Sequence, residues 1–147
     1  MADETKLLRV RLVTPERTLF ESTAAAVELP SKSGQMEALY GHAPLLAELG
    51  AGEVVLHGIA EAESGGPESV QRYNVSWGFA EVLPDRVTIL AADALKPEEI
   101  DVPRAQEQLA RGQKQLKEAG DSLEAYDQAR HVIAEAEAKL ATAAKRS

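Results

Sequence analysis

The 147-residue sequence predicts a β + α chain: about eight to ten short strands closing as a sandwich or barrel, then an antiparallel pair of helices. Up to residue 95, apolar residues alternate with polar ones in short runs broken by turn residues. After Pro97 the apolar spacing changes to steps of three and four, the period of a helix. Charge divides at the same place, with 7 basic and 14 acidic residues before residue 96 and 9 and 10 from there on. The expected domains are therefore 1–95 and 96–147.

In chain order, Leu8, Val10 and Leu12 alternate with Arg9 and Arg11, as in a strand with one face in a core. The run from Ala24 to Leu29 is expected to end at Pro30, and Val54 and Leu56 resume the pattern after Gly50-Ala51-Gly52. Residues 61–69, EAESGGPES, read as an exposed hairpin tip. Val70 to Trp77, Phe79 to Leu83 and Arg86 to Ala91 follow, the last two joined by the Pro84-Asp85 turn. Trp77-Gly78-Phe79 is expected to place aromatics in the core around a glycine bulge.

The helical part opens at Asp101, a good N-cap, with Pro103 in the first turn, where backbone N–H groups lack intrahelical partners. Val102, Ala105, Leu109, Gly112, Leu116 and Ala119 form one seam, and Tyr126, Ala129, Ile133, Ala136, Leu140 and Ala143 a second. Gly120 stands where a C-cap belongs, so the short link makes the helices antiparallel. About half of each seam is Ala or Gly, which permits close approach but removes little apolar surface from water. Arg104 is the anomaly: a cation in the first turn opposes the helix dipole by about 0.3–1 kcal/mol unless an anion offsets it, and that anion is either Asp101, three residues earlier, or a ligand.

Composition narrows function. The net charge of −8 disfavours nucleic acid, which is bound through clustered Lys and Arg. The lack of cysteine removes disulfides and thiolate metal sites, and no apolar run approaches the ~18 residues that cross a bilayer, so a soluble chain without membrane insertion is expected. Ser64-Gly65-Gly66-Pro67 lacks the lysine and following helix of a phosphate loop. His42, His57 and His131 are scattered, without the spacing of a metal site or catalytic triad. A non-catalytic protein with no required cofactor or metal is expected.

Four stretches, in order, carry a resemblance: VTPERTLFES, VELPSKSGQMEALYGHAPLLAELGAGEV, VSWGFAEVLPDRVTILAADA and IDVPRA. Together they resemble the epsilon subunit of bacterial and chloroplast ATP synthases, equivalent to the mitochondrial delta subunit. The resemblance implies a flattened β-sandwich that binds the gamma subunit and sits on the c-ring, and a helical hairpin that reaches the alpha/beta catalytic head and inhibits ATP hydrolysis. It implies a rotor component on the cytoplasmic face of the bacterial plasma membrane. The c-ring loop would be Gly34 to His42, with Gln35, Glu37 and His42 as contacts; Gln35 and Glu37 depart from the family's usual acidic residue and glycine.

The resemblance also bears on Arg104. In some relatives an Ile/Leu-Asp-x-x-Arg-Ala motif helps bind ATP, which makes Ile100, Asp101, Arg104 and Ala105, together with Arg111, a candidate weak ATP site. Leu95, Glu135 and Lys139 stand where ATP-binding relatives carry a glutamate and arginines. The alternative is a free-standing β-sandwich nucleotide sensor with a helical switch.

Overall fold

The computed structural model describes residues 6–59 and 69–145, so the hairpin tip expected at 61–69 lies, but for Ser69, outside the described residues. The chain divides into two compact units, Met1–Ala94 and Leu95–Ser147. Within the first, the strands are β1 (Leu8–Val13), β2 (Thr18–Ala24), β3 (Ala26–Ser31), β4 (Gly34–Leu39), β5 (Leu45–Leu49), β6 (Gly52–His57), β7 (Val70–Val75), β8 (Gly78–Leu83) and β9 (Arg86–Ala91). A two-residue β10 (Ala94–Leu95) follows.

The strands form one continuous ladder in the order β10-β7-β6-β3-β5-β8-β9-β1-β2, with β4 on β3. Among the described residues, β1 with β9 is parallel and sets Arg9 opposite Arg86, and the other pairings of β1 to β9 are antiparallel. The ladder is nearly cut at one point, where β3 meets β5 through the single pair Ser31 and Leu49. There the sheet bends and its halves close over one core. Val27, Leu29, Val54, Leu56 and Val75 come from one half, and Leu8, Val10, Leu12, Val82, Val87 and Ile89 from the other. The result is the sandwich the spacing predicts. Strands β1, β8 and β9 show the strict alternation of burial that puts every second side chain in this core.

One expected boundary moves: β3 does not stop at Pro30 but runs to Ser31. Pro30 lies next to the bend, where its carbonyl accepts the Gly50 N–H at 2.8 Å, so the missing proline N–H is tolerated at the point where the ladder changes partner.

In the second unit a short 3-10 turn (Pro97–Glu99) leads into α1 (Val102–Glu118) and α2 (Leu123–Ala143). Each helix begins with a side-chain cap: Asp101 accepts the Arg104 N–H and Ser122 the Ala125 N–H, both at 3.1 Å. Gly120, with φ +57°, follows the C-cap Ala119 and reverses the chain. The seam holds Ala105, Gly112, Ala129 and Ala136, all buried, flanked by half-buried Leu109, Leu116, Val132, Ile133 and Leu140. Tyr126 is a correction. It is 41% exposed, with the Arg130 guanidinium 5.9 Å from its ring centre, and half-buried Ala125 takes the inward position.

The helices approach tightly at Gly112, where a Cβ would lie 2.8 Å from Ile133 Cγ1 and 3.0 Å from Val132 Cγ1. Gln108 reinforces this crossing by donating from Nε2 to the Val132 carbonyl at 3.3 Å. An alanine at 112 would gain up to about 1 kcal/mol of helix propensity against the clash, but a leucine has no room. Gly112→Leu should therefore weaken the helical pair by about 2 kcal/mol or more. Helix melting followed by far-UV circular dichroism should shift down, while the unfolding reported by Trp77 in the sandwich stays put; an unshifted helix melt would show that this crossing does not hold the pair.

Candidate functional site

Strand register places the outward side chains of β5, β8, β9, β1 and β2 in rows on one face of the sandwich. One row runs Glu48, Phe79, Leu90, Val13; the next Leu46, Glu81, Thr88, Arg11, Glu21; the third Leu83, Arg86, Arg9, Thr23. The first two rows carry large apolar side chains in water: Phe79 is 39%, Leu90 54% and Leu46 72% exposed, and the adjacent Trp77 is 44% exposed. Aliphatic and aromatic groups clustered on one side of a sheet mark a surface that another molecule covers.

This overturns the expectation that Trp77 and Phe79 fill the core around a bulge. Gly78 is in regular register with Ala91, and its buried position leaves the rings on either side pointing out. The rings pack edge to face, centroids 5.2 Å apart at 76°. Trp77 Nε1 donates to Glu48 Oε2 at 3.0 Å, and Lys32 Nζ lies 3.0 Å from the same oxygen. The hydrogen bond from Trp77 first, and that from Lys32 second, hold the Glu48 carboxyl below its ordinary range. Glu48 thereby fixes the indole at one end of the apolar row. Sequence reasoning missed Glu48, Leu46 and Leu90; the one signal for them was large apolar residues at the outward positions of strands that alternate.

The residues expected to contact a c-ring separate into two groups. Gln35 and His42 line a groove of about 580 Å³ together with Lys32, Leu45, Leu46 and Glu48. Glu37 is exposed on β4 but does not line that groove. His42 is held by its own turn: its N–H donates to the Leu39 carbonyl at 3.0 Å, and Nδ1 donates to the Ala43 carbonyl at 2.6 Å. Gly41 ties the turn to the loop between β8 and β9 by donating to the Pro84 carbonyl at 2.7 Å.

The candidate ATP residues also divide. Ile100 and Ala105 are buried, 4% and 2% exposed, so in this form they pack rather than face a ligand. Asp101 spends its carboxylate on the Arg104 backbone N–H. Arg104 and Arg111 are exposed and, among the described residues, their guanidiniums form no ion pair; the anion at this helix start is the Asp101 carboxylate, held on the Arg104 backbone rather than on its side chain. They lie two turns apart on one face of α1, about 10 Å along its axis. Glu135 and Lys139, on α2, are half-buried.

Among the described residues no cluster of His, Asp and Glu could hold a metal ion, and no helix is long and apolar enough to cross a membrane.

The family model of the ATP synthase delta/epsilon chain β-sandwich domain matches residues 7–97. The chain belongs to the ATP synthase delta/epsilon family. It is 42% identical over 111 residues to the ATP synthase epsilon chain of Koribacter versatilis, covering 74% of this chain and 71% of that one. Against the ATP synthase epsilon chain of Solibacter usitatus it is 38% identical over 141 residues, covering 95% and 97%. In fold it is similar to a chain in the mitochondrial ATP synthase of Euglena gracilis, with a TM-score of 0.74 at 22% identity over 92% of this chain and 81% of the other. For this delta/epsilon family member, the rows on the sandwich's outer face lie within the segment the family model covers.

The Glu48 linkage has a definite sign. Because folding lowers its pKa, Glu48 stabilises the folded form above the ordinary value of 4.5, and that contribution is lost as pH falls through the lowered folded value. Trp77 is the one tryptophan of the chain, so its fluorescence should change as pH drops below about 4.5. Glu48→Gln should remove that step; an unaltered titration in the variant would assign it to another group.

Proposed function

We propose that this chain is the epsilon subunit of a bacterial ATP synthase, a non-catalytic part of the rotating central stalk attached peripherally at the cytoplasmic face of the membrane. The observation that carries the reading is the exposed apolar patch of Leu46, Trp77, Phe79 and Leu90 on one face of a family sandwich. That face docks on the gamma subunit, and the segment expected as a loop from Gly34 to His42, which is strand β4 and the turn after it, meets the c-ring. The helical unit acts as a brake on ATP hydrolysis in the alpha/beta head. Its small-residue seam supports this role, because a pair that buries little apolar surface can exchange its partners at a cost of a few kcal/mol.

Calorimetry with purified gamma tests the docking face. Full-length protein and a chain ending at Leu95 should both bind with submicromolar affinity, and Phe79→Ala should weaken binding about tenfold or more. Binding by the full-length chain alone would remove the sandwich from this role. In the reconstituted complex, truncation after Lys96 should raise ATP hydrolysis and leave proton-driven synthesis largely intact; equal hydrolysis with and without the helices would end the brake reading.

Arg104 and Arg111 form part of a weak ATP site on the helical unit, favoured by two exposed guanidiniums on one helix face that, among the described residues, have no carboxylate in an ion pair. A dissociation constant of about 1 mM corresponds to about −4 kcal/mol, enough to track cellular ATP. NMR titration should show shifts around residues 104–111 that Arg104→Ala abolishes. Shifts indifferent to that substitution would leave Asp101 to Ala105 a helix start and nothing more.

A further inference from the structure

The third row of the same face has a different chemistry. Arg9 and Arg86 are direct partners in the parallel pairing of β1 and β9, so their Cα atoms stand about 5 Å apart, and Arg11 follows two residues along β1 on the same side. Like charges directly opposite each other destabilise a sheet, and the local carboxylates relieve this only in part. Arg11 Nε lies 3.7 Å from Glu21 and Arg86 Nε 3.6 Å from Asp85, both pairs well exposed and loosely held. Arg9 forms no ion pair among the described residues. The three arginines line a groove of about 610 Å³ that also takes in Glu21, Asp85 and Thr88. On a chain of net charge −8, this is a local excess of positive charge.

We propose that Arg9, Arg86 and Arg11 receive an acidic segment of the protein that covers the neighbouring apolar row, so that one partner presents an apolar strip beside at least two carboxylates. The inference rests on the reading that this face docks on gamma. Two features support it. The cationic row is continuous with the apolar one across the same strands, and the row between them alternates in sign through Glu81, Arg11 and Glu21, which a partner must match in register. Carboxylates set against paired arginines gain charge-assisted hydrogen bonds and lift the repulsion the free sheet carries. Apolar contact then sets how long the complex lasts, and the arginines set how fast and in which orientation it forms.

The test measures association and dissociation rates with gamma at low and high salt, for the full-length chain, an Arg9→Glu/Arg86→Glu variant, an Arg9→Gln/Arg86→Gln variant and Phe79→Ala. The charge reversal should slow association about tenfold at low salt, flatten its salt dependence and leave dissociation near wild type. The glutamine pair should give a smaller change of the same kind with no loss of folding stability, since it removes a repulsion. Phe79→Ala should speed dissociation and keep the wild-type salt dependence. Arginine variants with wild-type rates and salt response overturn the inference and leave the docking reading intact. If Phe79→Ala also behaves as wild type while gamma still binds, the docking face itself is wrong. If the arginine variants lose millimolar binding of pyrophosphate but associate normally with gamma, the groove serves a small anion and the acidic-segment inference fails.

Discussion

Everything outward on the sandwich depends on the bend between β3 and β5. A sheet this long buries its apolar side chains by folding across itself, and here the ladder thins to Ser31 and Leu49 before changing partner. The bend draws on local features: the Gly50-Ala51-Gly52 turn, the Gly50 N–H donated to Pro30, and the Lys32 N–H donated to the Glu48 carbonyl at 2.8 Å. Once it closes, alternate residues of β8 and β9 are committed to the core, and the remaining set must face out. Phe79 and Leu90 are exposed because Ala80, Val82, Val87 and Ile89 are inside.

Legibility in the sequence followed burial. Strands β1, β8 and β9 each commit one clean set of apolar residues to the core, so their period of two is plain. Strand β4 buries one residue fully and β5 two, which leaves little periodicity to read. The helix start at Asp101 and the reversal at Gly120 were legible because caps are local chemistry within four residues. The outward aromatics were not, because composition cannot say which of two apolar sets a strand buries. Glu48 was further out of reach, since its partner Trp77 lies 29 residues away and the bond exists only after β5 pairs with β8.

The helical unit shows a motif whose residues hold different offices. Ile100 and Ala105 pack, Asp101 is exposed but spends its carboxylate on the cap, and the Arg104 side chain projects into solvent. Resemblance to a binding motif therefore overstates how many side chains could touch a ligand in this arrangement. The seam works the same way: Gly112 matters for the space it leaves to Val132 and Ile133 rather than for any contact of its own.

The parallel pairing of β1 with β9 carries a consequence for biosynthesis. Leu8–Val13 comes near the start of the chain, yet one edge of it waits for Arg86–Ala91, with nearly the whole sandwich sequence in between. Emerging from the ribosome, β1 and β2 can form a hairpin at once, but the core stays open and the free edge of β1 unprotected until β9 arrives. The sandwich thus closes late and nearly all at once, after most of its strands are already made.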